Sequence, residues 1–300
     1  MLVFGEIRTC LLQNSHTVPR SSMDSLLKLL PGERVRLSDR PIVYGVSPQT
    51  LTGVDCQLAN ASGARCRGVG TVGARAVVTG GRVLQGSAYV TVERGTTDYR
   101  LPWSHYLARP TVVQTTGKFN PADLTDGFIA NGSPAGTLDL GAVSEQLISS
   151  IQVHPGLDRL APLRTRRTRV RWAALIETGG PGGTAEFVVA DEVVRTVKLT
   201  LSGAESTDVI GFCENLALHD WALSTLSRII ERSANGSVEA LRPAIDHLLH
   251  LWMPGAHVSE SLLPLWESLE RRPGFTRQWE TMVAHIRDRL MSAVVAALNP

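Results

Sequence analysis

The clearest periodicity in this sequence begins at Thr207-Asp-Val-Ile-Gly-Phe-Cys-Glu-Asn-Leu-Ala-Leu-His-Asp-Trp221 and continues to Ile230. Its apolar residues recur at steps of three and four, which is the spacing of an amphipathic α-helix. Thr207 or Asp208 can cap the start of this helix. The turn-forming segment Ser233-Ala-Asn-Gly236 follows, so the pattern predicts a helix over about 207–233.

Three further helices are predicted after it, over about 238–252, 260–271 and 275–298. Pro243 lies early in the first of these, so that helix either starts near Pro243 or bends there. Four of the six tryptophans are distributed one to each predicted helix: Trp221, Trp252, Trp266 and Trp279. This distribution predicts a compact helical unit whose core contains large rings.

The residues before 204 have mainly strand-like patterns. Gly80-Gly81 between two apolar runs predicts a two-residue hairpin. In the second strand of this hairpin, alternation around Ala88, Val90 and Val92 predicts one face in the core and one face toward solvent. Further strands are expected near 2–12, 35–37, 42–46, 111–116, 167–176 and 186–201, with short helices near 22–30 and 121–128. The segment 142–151 fits either a helix or a strand, and its pattern favours a helix. The segments 48–67 and 101–110 are expected to be irregular, the second as an aromatic loop.

The pattern therefore predicts an α+β fold with two domains. A β-rich domain with short helices is expected over 1–203, and a four-helix domain over 204–300. The boundary rests on the change of period from 2 to 3.6 near Ser202-Gly203.

Composition limits the class of protein. The chain has 300 residues, of which 43% are hydrophobic and 19% charged, so it can build a core. A net charge of +2 does not indicate a general nucleic-acid binder. Its four cysteines form no Cys-x-x-Cys pair, no export signal is visible, and no run of about 18 apolar residues occurs. We expect a cytoplasmic protein with reduced thiols and no membrane span, and the oligomeric state is left open.

One glycine motif matches a nucleotide-binding pattern by letter only. Gly68-Val-Gly-Thr-Val-Gly73 has the form G-x-G-x-x-G, which binds dinucleotides when a strand precedes it and a helix follows. The flanking residues predict neither a preceding strand nor a following helix. No P-loop and no G-x-S-x-G motif is present, so no cofactor is expected.

Polar residues concentrate within the helical pattern. They are Glu214, His219, Asp220, His247 and His250. His247 and His250, with His219 and His257 nearby in the sequence, are candidates for a zinc site, but no His-Glu-x-x-His motif is present. Cys213 is a candidate nucleophile with His219 and Asp220 as base and orienting group, although it falls on the apolar stripe of its helix. We expect structural or surface histidines and no bound metal.

The strongest charge feature is a run of five arginines in eight residues: Arg164, Arg166, Arg167, Arg169 and Arg171. In a strand, the last three share one face. Such an edge suits an anionic partner, because guanidinium groups bind carboxylate and phosphate in a bidentate manner. The alternative is an edge strand whose charge prevents aggregation.

Six blocks of the chain carry a resemblance to a known family. They are Val3-Phe-Gly-Glu-Ile-Arg-Thr-Cys-Leu-Leu-Gln-Asn14, Thr52-Gly-Val-Asp-Cys56, Leu101-Pro-Trp-Ser-His-Tyr-Leu-Ala-Arg-Pro110, Cys213-Glu-Asn-Leu-Ala-Leu-His-Asp-Trp221, His247-Leu-Leu-His-Leu-Trp-Met-Pro-Gly-Ala-His257 and Leu265-Trp-Glu-Ser-Leu-Glu-Arg-Arg-Pro-Gly-Phe-Thr-Arg-Gln-Trp279. Together they resemble an uncharacterised family of proteins of this length from Streptomyces-like actinomycetes, encoded beside a variant P-loop protein and a SAM-dependent methyltransferase. The resemblance implies an actinobacterial protein whose partners are products of neighbouring genes, and it assigns no role to any residue.

These observations favour a non-enzymatic interaction or scaffold subunit of a multi-protein cytoplasmic system. Nucleic acid is kept as an alternative partner but is not favoured. The alternative is a hydrolase or metal-dependent enzyme that uses His219, His247 and His250. Convergence of these side chains in one pocket would favour the enzyme, and their separation would favour the scaffold.

Overall fold

A mixed β-sheet organises the molecule. The computed structural model describes residues 1–97, 99–130, 135–179, 182–233 and 238–298. Within them lie ten strands and eight α-helices, so the predicted α+β class is confirmed. The strands are β1 (Leu2–Leu11), β2 (Arg36–Ser38), β3 (Tyr44–Val46), β4 (Thr50–Ala59), β5 (Arg65–Thr79), β6 (Val83–Arg94), β7 (Val112–Thr115), β8 (Thr168–Glu177), β9 (Gly182–Val189) and β10 (Val194–Ser202). The helices are α1 (Arg20–Leu27), α2 (Trp103–Leu107), α3 (Pro121–Ala130), α4 (Leu140–Gln152), α5 (Ser206–Arg232), α6 (Arg242–His247), α7 (Leu263–Arg271) and α8 (Phe275–Leu298).

Strand β1 lies in the middle of the sheet. The order is β2-β3-β5-β7-β6-β1-β8-β10-β9, with β4 added to β5 and a second pairing between β5 and β6. Most neighbours are antiparallel, whereas β8 and β10, and β6 and β7, are parallel. The sheet therefore joins strands that are far apart in the chain.

The predicted hairpin is confirmed between β5 and β6. Gly80 and Gly81 both have φ of +60°, which is the requirement of a two-residue turn that matches strand twist. The turn is closed by a hydrogen bond of 3.1 Å from the Arg82 N–H to the Thr79 carbonyl. The turn residues thus set the register of the two longest strands.

Helices cover both faces of the sheet. One face packs against α1, α3 and α4, and the other packs against α5 with the helices that follow it. Strand β6 lies between α4 and α5, so Ser87 and Tyr89 are as buried as Ala88 and Val90. The prediction that one face of this strand meets solvent is therefore wrong, because alternation does not show that a second helix layer covers the polar face.

The helical pattern of the C-terminal third is confirmed in its main features. Helix α5 covers Ser206–Arg232, and the predicted turn residues Ala234–Gly236 lie outside the described residues. The second predicted helix is divided at Pro243 into a 3-10 turn at Val238–Leu241, then α6, then a 3-10 turn at Leu249–Leu251. Pro243 is in the first turn of α6, where its missing N–H is tolerated.

Helix α5 also connects the helices to the sheet. It packs against β1, β6 and β8 on one side and against α8 on the other, so almost its whole middle is buried. The strand pattern ends at Ser202 and α5 begins at Ser206, close to the predicted boundary. A separate helical domain over 204–300 stays a prediction, which limited proteolysis would test.

Three local predictions are wrong. Most of the segment 48–67 is not irregular, because β4 pairs with β5 from Thr50 to Ala59. The aromatic segment contains the short helix α2. The strand predicted over 186–201 is two strands, because the turn at Asp191 separates β9 from β10. The glycine-rich segment before β9 includes residues 180–181, which lie outside the described residues.

Among the described helices, none is long and apolar enough to cross a membrane.

Candidate functional site

A cleft of about 710 Å³ lies between one end of the sheet and the first turn of α5. Its walls come from β1, β2, β3, β5 and β6, from the segment just before β4, from Thr111 and from His257. These elements lie far apart in the sequence and meet because β5 pairs with both β3 and β6. The volume is in the range of natural small-molecule sites.

An ion pair between Arg75 and Glu214 closes the floor of the cleft. Arg75 projects from the middle of β5, and its Nε and Nη2 donate to the Glu214 carboxylate oxygens at 2.8 and 2.6 Å. Only 13% of the Arg75 side chain and 2% of the Glu214 side chain are exposed. Burial opposes the charged form of Arg75, but the adjacent carboxylate more than offsets this and raises its pKa. The pair is therefore fixed and neutral overall.

Two tyrosines form the aromatic wall. The Tyr89 hydroxyl donates to Gln49 Oε1 at 2.8 Å, and burial raises the pKa of Tyr89 to about 12. Burial also raises the pKa of Tyr44, whose ring stacks on His257 with 4.1 Å between centroids. Both phenols therefore stay protonated at neutral pH and act as hydrogen-bond donors and acceptors.

The backbone at Thr111 is strained. Its φ is +63°, which is rare for a β-branched residue. The conformation is held by hydrogen bonds, because the Thr111 N–H donates to Thr71 Oγ1 at 2.9 Å and its carbonyl accepts from the Thr91 N–H at 2.8 Å. Such strain persists only where the surroundings impose it, and it is concentrated at ligand sites.

The acidic candidates from the sequence are engaged in ion pairs. Glu214 binds Arg75 at the cleft, as described above. Asp220 is buried beneath Arg195, whose Nε donates to it at 2.9 Å. Burial raises the pKa of Asp220, and the charge of Arg195 acts against this.

Cys213 is completely buried in the core, and burial raises its pKa well above the usual value.

His219 lies in the core among rings. Its Nδ1 donates to the Asn215 carbonyl at 2.7 Å, and its ring packs edge-on against Trp252 and Trp266. Burial lowers the pKa of His219 to about 4, so the imidazole is neutral at physiological pH.

The other two predicted histidines lie on a separate short segment. His247 ends α6 and His250 follows in a 3-10 turn, where burial and the charge of Arg82 lower the pKa of both. No grouping of three histidine, cysteine, aspartate or glutamate side chains that could hold a metal ion occurs in the described part of the chain. The structure therefore does not join the predicted cluster into one site.

The arginine run has a different setting from the one expected. Strand β8 is not an edge, because β1 and β10 pair with it on its two sides. Arg169 Nε lies 2.7 Å from Glu6 Oε1, Arg171 Nε lies 3.4 Å from Glu6 Oε2, and Arg167 contacts Glu145. The prediction that the arginines lie on an edge strand is thus wrong. The local sequence could not show this, because the neighbours of a strand depend on long-range pairing.

The two remaining arginines are more exposed. Arg166 lies on the opposite side and pairs with Glu192, and Arg164 is exposed before the strand begins. Partner binding by the five arginines stays a prediction, but four of them already pair with carboxylates of this chain.

The main residues of the cleft are not predicted by the sequence patterns. Ordinary strand and turn patterns surround Arg75, Tyr89 and Gln49, so these patterns do not mark the three residues as candidates. One signal was present, since Arg75 is a lone charge between Ala74 and the apolar run Ala76–Val78. A single arginine inside a buried strand requires a partner, because an unpaired buried charge is costly.

Comparison of the chain with protein-family models, with curated proteins and with solved structures found no match. The resemblance to an actinobacterial family therefore stays a proposal.

Proposed function

We propose that this protein is a non-catalytic interaction subunit of a multi-protein cytoplasmic system, and that it holds a small polar molecule in the cleft. The single observation that carries this proposal is the chemical state of the cleft. Arg75 and Glu214 neutralise each other, both tyrosines stay protonated, and the wall otherwise offers hydroxyl and amide groups. These groups bind and orient a ligand but do not exchange protons with it near neutral pH.

His257 is the candidate base inside the cleft. Burial lowers its pKa, so its imidazole is neutral at physiological pH. A catalytic histidine is normally oriented by a carboxylate or carbonyl and bonded to a nucleophile. The His257 ring forms no hydrogen bond to another described residue and instead stacks on Tyr44. This setting supports a binding role.

The surface supports contact with a protein partner. The tryptophans of α5, α7 and α8 belong to the core, with 0 to 5% of each exposed, so they do not form the contact surface. The last turns of α8 expose an apolar stripe at helical spacing: Met291 61%, Val294 54%, Val295 54% and Leu298 74%. An apolar stripe on the outer side of a helix is typical of a surface that pairs with another chain.

The test is native purification of the tagged protein from the cells that encode it. We expect a partner protein to co-purify in a fixed ratio, and Val294→Lys with Val295→Lys to remove that partner. Leu160→Lys is the matched control, because Leu160 is 64% exposed but lies in a loop elsewhere. A chain that elutes alone and converts a substrate, with the conversion lost in Tyr89→Phe, would disprove the proposal.

The enzymatic alternative through His219, His247 and His250 has no specific support from the geometry. His219 is buried among tryptophans, whereas the other two lie on a separate, partly exposed segment.

A further inference from the structure

We infer that the cleft binds an uncharged, hydroxyl-rich molecule of the size of a mono- or disaccharide. This inference rests on the proposed function, in which the cleft holds a ligand without converting it. It goes further by identifying the chemical class of that ligand from the charge, the free hydroxyl groups and the rings of the wall.

The charges around the cleft cancel. Two cationic side chains, Arg36 and Arg75, line it, and two carboxylates oppose them: Asp208 in the wall and Glu214 bound to Arg75. Asp208 lies in the first turn of α5, where the helix end adds only a partial positive charge. A phosphate, a carboxylate or a cation would meet no net opposite charge from the side chains here, which favours a neutral ligand.

Hydroxyl groups are the main free hydrogen-bonding groups of the wall. The side chains of Thr91, Thr111, Ser206 and Thr207 line the cleft and form no hydrogen bond to another described residue. Each hydroxyl is both a donor and an acceptor, as are the hydroxyls of a sugar. Networks of this kind bind neutral polyols without the desolvation cost of a charge.

The wall also provides apolar surfaces. The Tyr44 ring stacks on His257, the Tyr89 ring lies beside Arg75 at 5.8 Å, and Val3 and Ile210 complete the lining. Sites of this size combine ring faces with a few fixed polar groups. A saccharide has the same division, with C–H faces for the rings and a hydroxyl rim for the threonines and serines.

The experiment is isothermal titration calorimetry of the full chain against a defined panel. The neutral members are glucose, galactose, mannose, N-acetylglucosamine, maltose, cellobiose and trehalose. The charged members are glucose 6-phosphate, glucuronate and glucosamine, and adenosine is added as a sugar joined to a base. We expect at least one neutral sugar to bind with a Kd of about 1 mM or tighter.

Two variants test whether binding occurs in this cleft. Tyr89→Phe and Thr91→Val each remove one hydroxyl from the wall, and we expect each to weaken binding about fivefold. Thr196→Val is the matched control, because Thr196 is a half-buried threonine on β10 outside the cleft, and its Kd should not change. Thermal melting of each variant shows that it is folded, and Thr91→Val keeps the β-branched shape if Tyr89→Phe fails to fold.

Salt dependence separates neutral from charged recognition. Between about 50 and about 500 mM NaCl, the Kd of a neutral sugar should change less than about twofold, since screening acts on charges. The inference is overturned if no neutral sugar binds, or if glucose 6-phosphate, glucuronate or glucosamine binds more tightly than every neutral sugar. It is also overturned if adenosine binds and no free sugar does, or if Tyr89→Phe and Thr91→Val leave the affinity unchanged.

The two proposals fail in different ways. If a charged member binds in the cleft and is recovered unchanged, the ligand class is wrong and the non-catalytic function stands. If a neutral sugar binds and is converted to a product, the ligand class stands and the non-catalytic function is wrong.

Discussion

Glu6 is expected to be a major contributor to stability. Its side chain is completely buried and lies close to three guanidinium groups: Arg169 at 2.7 Å, Arg171 at 3.4 Å and Arg8 at 3.7 Å. In Glu6→Gln the shape is kept but the negative charge is lost, so the three arginines lose the carboxylate that they share. Removing one member of a buried ion pair costs about 3–5 kcal/mol.

Glu145 provides the matched control. It pairs with Arg8 and Arg167, but 36% of its side chain is exposed, so Glu145→Gln is expected to cost about 1 kcal/mol or less. Urea unfolding followed by tryptophan fluorescence measures both values, because Trp172 is buried beside this region, against Gly5 of β1. If Glu6→Gln costs no more than Glu145→Gln, the claim that Glu6 compensates the arginines is wrong.

The same network predicts the effect of changing its cations. Replacing Arg167, Arg169 and Arg171 together with Ser leaves Glu6 buried with Arg8 as its one cationic partner among the described residues, so the melting temperature should fall by several degrees or more. A variant that melts like the parent chain but loses a partner would instead support the recognition role predicted for the arginine run.

Three other predictions concern the hairpin, a buried histidine and the thiols. Gly81→Ala should destabilise the protein by about 2–4 kcal/mol, because φ is +60° and the added carbon would overlap the Val18 carbonyl. Gly32 is the control: its φ is +81° but the space beside it is open, so Gly32→Ala should lower the free energy of unfolding in urea by about 1 kcal/mol. The pKa of His219 is lowered from 6.5 to about 4 in the folded chain, so the stability that its neutral form provides is fully present above pH 6.5 and is lost as the pH falls to 4. In His219→Gln, the free energy of unfolding should therefore fall by about 3 kcal/mol less between pH 6.5 and pH 4 than in the parent chain. The same pH dependence in both chains would contradict this. Burial raises the pKa of Cys56 to about 12, so a thiol reagent at pH 8 should label it slowly in the folded chain and rapidly in urea, and equal rates would show that the thiol is accessible.

Local chemistry explains what the sequence could predict. The Gly80-Gly81 turn and the 207–233 helix were predicted because a positive φ needs glycine and a helix repeats every 3.6 residues. Strand β4 was missed because it pairs only with β5 among the named strands, and its exposed residues resemble a loop. Its strand conformation depends on β5, which no local pattern records.

Long-range pairing explains what the sequence could not predict. The position of β8 in the sheet depends on β1, which precedes it by more than 150 residues. The cleft brings Arg36, Arg75, Thr111 and His257 together from four separate segments. Histidine, cysteine and acidic residues can be selected as candidates from the sequence by their chemical type. Hydroxyl groups and a single arginine in a strand form a site only after the sheet has assembled.

The central position of β1 has a consequence for synthesis. This strand leaves the ribosome before its partners, and the partner on one side, β8, ends only at Glu177. At about 5–20 residues per second, β1 waits roughly 10–30 s for that partner. During this time an apolar strand has an unpaired edge, which is a template for pairing with other chains. The nascent chain is therefore expected to need chaperone protection until β8 has been made, and slower translation would lengthen that need.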